Sequence, residues 1–146
     1  MQANESFAFW CRRVGETAVP FGSGNADANI LVIDGDPVMG AMLARTLTSD
    51  SRHTRYVSNA DEGLTLIATW KPAVIILTIG DTGREAFDTA ALLRRDPRSH
   101  DAALIAYTAL SESAVRTRGL VAGFDAYCHS GVSHTLLLSV IATLLV

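Results

Sequence analysis

Cysteine is nearly absent from this chain: Cys11 and Cys128 are the only two in 146 residues. They stand far apart with no metal-ligand spacing, so neither a disulfide framework nor a zinc site is expected, and a reducing cytoplasm is the simplest compartment. Cys128 falls in an apolar strand pattern and reads as an inert core thiol. Blocks of like charge are also missing. A net charge of −3 spread over 18% charged residues gives no basic stripe for nucleic acid or an anionic membrane. The arginine pairs Arg12-Arg13 and Arg94-Arg95 read as solvated helix faces. No apolar run approaches the roughly 20 residues that span a bilayer. Leu136 to Val146 is too short, and Phe7-Ala8-Phe9-Trp10 is cut off by arginines before it could serve as a signal segment. What remains is a chain of one-domain length with 49% hydrophobic residues, enough to bury a real core.

Residues 1–29 differ from the rest and read as an extension and linker. A short helix is expected from Glu5 to Val14, followed by the turn-rich Pro20-Phe21-Gly22-Ser23-Gly24-Asn25. Gly22-Ser23-Gly24 precedes a strand instead of following one, which excludes a dinucleotide loop. The aromatic residues Phe7, Phe9 and Trp10 either dock on the domain or face a partner.

From Ile30 to Val146 strands and helices alternate. Ile30-Leu31-Val32-Ile33 is a continuous apolar run, the pattern of a parallel strand covered on both faces. Asp36-Pro37 reads as an N-cap with a first-turn proline, opening a helix to about Thr48 with Val38, Met42, Leu43 and Leu47 inward. A weaker strand, Thr54 to Val57, precedes a helix capped by Asn59, with Leu64, Ile67 and Ala68 on its buried face. The third strand is 73–78, and Glu85 to Arg95 the third helix. Ala103 to Tyr107 forms the fourth strand, and Ser111 caps a helix that Gly123 stops. Asp125 to Cys128 is the fifth strand, and Ser133 caps a last helix. Five βα units imply an α/β, doubly wound parallel sheet of flavodoxin-like order 2-1-3-4-5. Such sheets place their sites at the carboxyl ends of the strands where the order reverses, here Asp34, Thr78 and Thr108.

Those strand ends, with Gly123-Phe124-Asp125-Ala126-Tyr127, resemble the receiver domain of bacterial response regulators over about 115 residues, Ile30 to Val146. In receivers two acids after the first strand join a phosphate-accepting aspartate to hold magnesium. Asp34 matches the first acid, Gly35 stands at the second, and Asp36 is better placed as the helix N-cap. Thr78 stands at the acceptor. Thr108 with Ala109 keeps the hydroxyl position of the fourth strand, and Tyr127 keeps the switch aromatic. The conserved Lys-Pro of the family appears as Ser130-Gly131, and the Met-Pro of the loop after the acceptor as Asp81-Thr82.

Each replacement removes a chemical requirement. Magnesium takes about six oxygens in near-octahedral geometry, and Asp34 and Asp36 are only weak candidates to supply them. A lysine would neutralise the transferring phosphoryl group, and Ser130 has no charge to do so. A threonine hydroxyl is a poor nucleophile without a base beside it. The resemblance therefore implies a receiver without the phosphorylation chemistry: no enzyme, no cofactor, no bound metal, and a hydrogen-bonded pocket in which Thr78 donates to Asp34. A conventional receiver with an unusual acceptor and a small-molecule sensor using the vacated pocket are the alternatives. His129 reads as an ordinary surface histidine, and Asp81 and Asp88 as solvent-exposed.

The last helix adds a surface argument. Leu136, Leu137, Leu138, Val140, Ile141, Leu144, Leu145 and Val146 leave it no polar face, so it needs two covers. Receivers commonly dimerise through the face made by the fourth helix, fifth strand and fifth helix. A homodimer or a partner signalling protein is expected there, with Leu137, Leu138, Ile141 and Leu145 as contacts, and the Phe7/Phe9/Trp10 segment as the competing cover. Because the chain ends with that helix, output is expected through association.

Overall fold

The computed structural model describes residues 9–11, 28–80, 84–131 and 134–145. A short strand β1 (Phe9–Cys11) precedes five βα units: β2 (Ala28–Ile33) with α1 (Pro37–Leu47), β3 (Arg52–Val57) with α2 (Ala60–Ile67), β4 (Val74–Ile79) with α3 (Arg84–Arg95), β5 (Ala103–Thr108) with α4 (Glu112–Ala122), and β6 (Ala126–His129) with α5 (His134–Leu145). The strands form one six-stranded sheet in the order β1-β6-β5-β4-β2-β3. Counted by βα unit, the five parallel strands run 2-1-3-4-5, as the alternating pattern predicts.

The apolar strands split their side chains between two cores. Ile30, Val32, Val74, Ile76 and Ile105 face α1 and α5, where Leu43, Leu47, Leu137, Val140, Ile141 and Leu144 complete one cluster. Leu31, Ile33, Ile75, Leu77 and Leu104 face α2, α3 and α4, meeting Ile67, Phe87, Leu93 and Val115 in the other. Coverage on both sides is what lets β2, β4 and β5 read as unbroken apolar runs. The edge strand β3 instead alternates, with His53 and Arg55 exposed. Among the described residues no helix is long and apolar enough to cross a membrane.

The expected caps form. The Asp36 carboxylate accepts from the Val38 and Met39 amides, Asn59 accepts from Glu62, and Ser111 from Ala114. Glu62 returns the bond to the Ser58 amide and hydroxyl, both at 2.8 Å, which holds its carboxyl below the usual range. Gly123 closes α4 at φ 110°, and a side chain there would also meet the Arg94 stem at 2.6 Å. The expected Ser133 cap lies outside the described residues.

Several expectations need correction. Residues 9–11 are strand, not part of a helix from Glu5 to Val14. β1 pairs antiparallel with β6, setting Phe9 opposite Cys128, Trp10 opposite Tyr127 and Cys11 opposite Ala126. Aromatic and β-compatible residues beside an otherwise unpaired edge favour the ladder over an isolated helix of that length. The rest of that helix, and Phe7, lie outside the described residues. The same register places the two cysteines on neighbouring strands, two rungs apart, although 116 residues of sequence separate them.

The inward face of α1 is also turned from the expected one. Gly40, Leu43, Ala44 and Leu47 are buried, whereas Val38 is 66% and Met42 56% exposed. The cause is Gly40: an added Cβ would lie 2.2 Å from the Tyr56 ring, so the helix rests on the sheet at its glycine and rotates its first valine outward. In α2 Gly63 and Ile67 are buried, Leu64 is half-buried and Ala68 is exposed. Arg94 is no solvated side chain either. Its guanidinium donates to the carbonyls of Gly123 (2.8 Å), His100 (2.9 Å) and Ala102 (2.6 Å) and pairs with Asp125, tying the end of α3 to the α4 stop and the start of β5. Arg95 is exposed, and Arg12 and Arg13 lie outside the described residues.

Candidate functional site

The order reversal between β2 and β4 brings Asp34, Gly35, Asp36 and Thr78 to one rim of the sheet. With Ile79, Gly80, Glu85 and Ala86 they line an open cavity of about 380 Å³. A neighbouring hollow of about 50 Å³, lined among others by Thr78, Glu85, Ser58 and Asn59, continues it toward α2.

Local bonding constrains each side chain. Asp34 Oδ1 accepts the Asp36 amide at 2.9 Å, and Asp36 Oδ1 accepts Val38 N at 3.0 Å and Met39 N at 3.2 Å. Both acids thus shape the turn into α1. The Tyr56 hydroxyl donates to the Asp34 carbonyl at 3.0 Å and braces the turn from β3. Burial, and then the Asp34 charge, raise that phenol above its ordinary pKa. Thr78 does not donate to Asp34 as expected; its hydroxyl donates to the Ile33 carbonyl on β2 at 3.3 Å. The β-branched side chain at the strand end faces an adjacent backbone acceptor, while Asp34 is turned to its own loop. Gly35 is exposed, and a Cβ there would meet nothing within 4 Å.

Thr108, Tyr127 and Ser130 form a second, closed group that does not line the cavity. The Thr108 hydroxyl donates to Ile79 O at 2.8 Å and accepts the Leu110 amide at 3.0 Å. Tyr127 is fully buried, and its hydroxyl donates to Leu110 O at 2.7 Å. Desolvation pushes its pKa up to about 12. Ser130 is exposed, and its amide donates to Thr108 O at 2.8 Å. One loop, at Leu110, is therefore held at its amide by β5 and at its carbonyl by β6. Cys128 is buried at the heart of β6, where desolvation pushes its thiol up to about 12. His129 is half-buried, and its Nδ1 accepts the Gly131 amide at 2.9 Å.

Sequence reasoning missed Glu85, an exposed acid in the first turn of α3 that lines both cavities. Its place directly after the β4 loop was the available signal. Asp36 and Glu85 are exposed and Asp34 is half-buried, yet among the described residues no three histidine, cysteine or acidic side chains are grouped to hold a metal ion. Asp88 is exposed and Asp81 lies outside the described residues.

The four leucine and isoleucine residues expected to meet a partner on α5 divide. Leu137 and Ile141 are core, at 0% and 1% exposure, and have no surface to offer; Leu138 and Leu145 pack partly buried against the same cluster.

No protein-family model matches the chain. The chain is 26% identical over 98 residues to the DNA-binding response regulator MtrA of Mycolicibacterium smegmatis. That match spans 67% of this chain and 42% of the relative, so the chain covers less than half of that protein's length. Among solved structures, the signal receiver domain of a DNA-binding response regulator (merR) from Colwellia psychrerythraea 34H is 25% identical at a TM-score of 0.69, covering 82% of this chain and 98% of that one. The receiver domain of a signal transduction histidine kinase from Syntrophus aciditrophicus superposes with a TM-score of 0.69 at 22% identity, covering 81% and 89%. The chain has the receiver fold, and its sequence is related to receiver domains of response regulators.

Proposed function

We propose that this chain is a receiver-type module of a two-component signalling pathway that acts by protein association, independently of phosphorylation. The observation that supports it most is the state of the strand ends. The residue at the acceptor position is Thr78, whose hydroxyl is spent on the Ile33 carbonyl, and the neighbouring Asp34 carboxylate binds the Asp36 amide. Gly35 supplies no side-chain oxygen, and Ser130 supplies no cation. Phosphoryl transfer needs a nucleophile, a metal held by several oxygens and a neutralising cation, and here each is missing from its place.

Association is the output that remains. On the side built from α4, β6 and α5, α4 presents Leu120 at 37% and Val121 at 85% exposure, and Leu138 and Leu145 of α5 are part-buried. A homodimer or a partner signalling protein binds there, with Leu120 and Val121 supplying the apolar contact. The DNA binding in the name of the mycobacterial relative is a property of that whole protein.

Acetyl phosphate and beryllofluoride with magnesium test the reading. The expected results are an unchanged intact mass and a thermal midpoint shifted by less than about 1 °C, since a ligand that bound the folded chain would stabilise it by RT ln(1 + [L]/Kd). A magnesium-dependent phosphoryl adduct would identify an atypical acceptor and overturn the proposal. The 380 Å³ cavity, within the range of about 300–1,000 Å³ typical of ligand pockets, favours a small-molecule sensor as the second reading. A thermal-shift screen of metabolites decides it, because a saturable ligand abolished by Thr78→Tyr would place binding in that cavity.

A further inference from the structure

We infer that β1 is a detachable strap that closes the β6 edge of the sheet in the resting chain, and that its release opens this edge to a second copy of the chain. Every other strand pair in the sheet is parallel and belongs to a βα unit, whereas β1 is an antiparallel addition at the end of the order. β1 is three residues long, and sixteen residues of chain, 12–27, lie between it and β2. A strand this short makes few ladder bonds, so it opens far more readily than the strands covered on both faces.

What the strap covers explains why it is there. Without β1, the β6 amides and carbonyls on the side away from β5 would be unpaired, the template for pairing with another chain. β1 also lies against α5, the helix with no polar face. Ala142 and Thr143 are buried at 7% and 2%, although the 3.6-residue turn of the helix sets them away from Leu137, Val140, Ile141 and Leu144, so this helix is covered on more than its sheet-facing side. The second occupant is a copy of this chain because β6 and α5 are self-complementary across a two-fold axis: an antiparallel β6–β6 pair continues the sheet and sets one apolar α5 beside the other. Release also reaches the Thr108 group, because β6 holds Leu110 through Tyr127, directly opposite Trp10, and leads to Ser130 on Thr108.

This inference deepens the association reading and rests on it only for the output. The two fail separately, since strand release is read by exchange and cross-linking and association by mass. Successive strand residues turn their N–H groups to opposite sides, so one of Trp10→Pro and Cys11→Pro must remove a bond to β6. Hydrogen exchange on the full-length chains should show the β6 amides that face β1 exchanging at least about tenfold faster in that variant, with β2 and β4 unchanged. Light scattering should show the same variant at twice the monomer mass at concentrations where the native chain is monomeric. Phe9→Cys supplies the converse: Phe9 and Cys128 are directly opposed, at the spacing a disulfide bridges, so an oxidant such as diamide should link them and hold the chain monomeric. Unchanged β6 exchange in both proline variants removes the strap. A released strand on a chain that stays monomeric removes the gating role.

Discussion

Thr78 shows how far a single residue can be read and where reading stops. Its position at the end of β4 follows from the apolar run before it and the register with β2. Its hydrogen bond does not, because the choice between the Asp34 carboxylate and the Ile33 carbonyl depends on a loop turned by the Asp36 amide. Gly40 is a similar case. The sequence offers a glycine inside a good helical pattern, which propensity alone counts as a small cost. Only the packing reveals that the Tyr56 ring occupies the space of its Cβ. Gly40→Ala should therefore destabilise the chain by about 1–3 kcal/mol, instead of the stabilisation expected from helix propensity, because a helix methyl would be driven into a ring that itself braces Asp34. Urea denaturation checks it, and pairing it with Tyr56→Ala, which vacates the space, should recover part of the loss as a measurable coupling.

At the scale of elements, legibility follows coverage. β2, β4 and β5 are buried on both sides, and their continuous apolar runs announced them. β1 was hidden because three residues carry no periodicity, and what makes them a strand is the edge of β6, more than a hundred positions away. The arginines of α3 misled for a related reason: Arg94 and Arg95 are adjacent letters, but one faces the Gly123 carbonyl and Asp125 and the other faces water. The apolarity of α5 was plain, while the division between its covers was not. Ile141→Glu buries a charge in the cluster with Ile30 and Val74 and should unfold the chain, a loss of several kcal/mol by melting. Val121→Glu on exposed α4 should leave the melting midpoint within about 1 °C and weaken any association. β6 gives a further expectation. Tyr127 and Cys128 are held protonated to about 12, above their unfolded values, so the unfolded chain loses protons first as pH rises. Their contribution is complete below about pH 9 and is lost on the way to pH 12, a fall on the order of a few kcal/mol. Tyr127→Phe should flatten this alkaline decline in urea titrations from pH 8 to 11.

At the scale of the molecule, the order 2-1-3-4-5 was legible because βα alternation and right-handed crossovers leave few alternatives. The location of the cavity followed from the same rule, since ligand sites of such sheets lie at the order reversal. Glu85 was not foreseen, because it enters the rim through a loop whose path the strand pattern does not specify. A scaffold this complete makes a constructive test possible. Gly35 is exposed, has no positive φ and leaves open space at its Cβ, and Thr78 already faces the cavity. The double variant Gly35→Asp with Thr78→Asp would set two new carboxylates beside Asp34. Their mutual repulsion should lower stability by about 1–2 kcal/mol in the absence of metal. With millimolar magnesium the midpoint should recover by roughly 2–5 °C, whereas the native chain should not respond. Beryllofluoride should add little until Ser130→Lys supplies the missing cation. If the double variant ignores magnesium while remaining folded, the strand ends are spaced wrongly for a metal, and the change from receiver chemistry extends into the backbone.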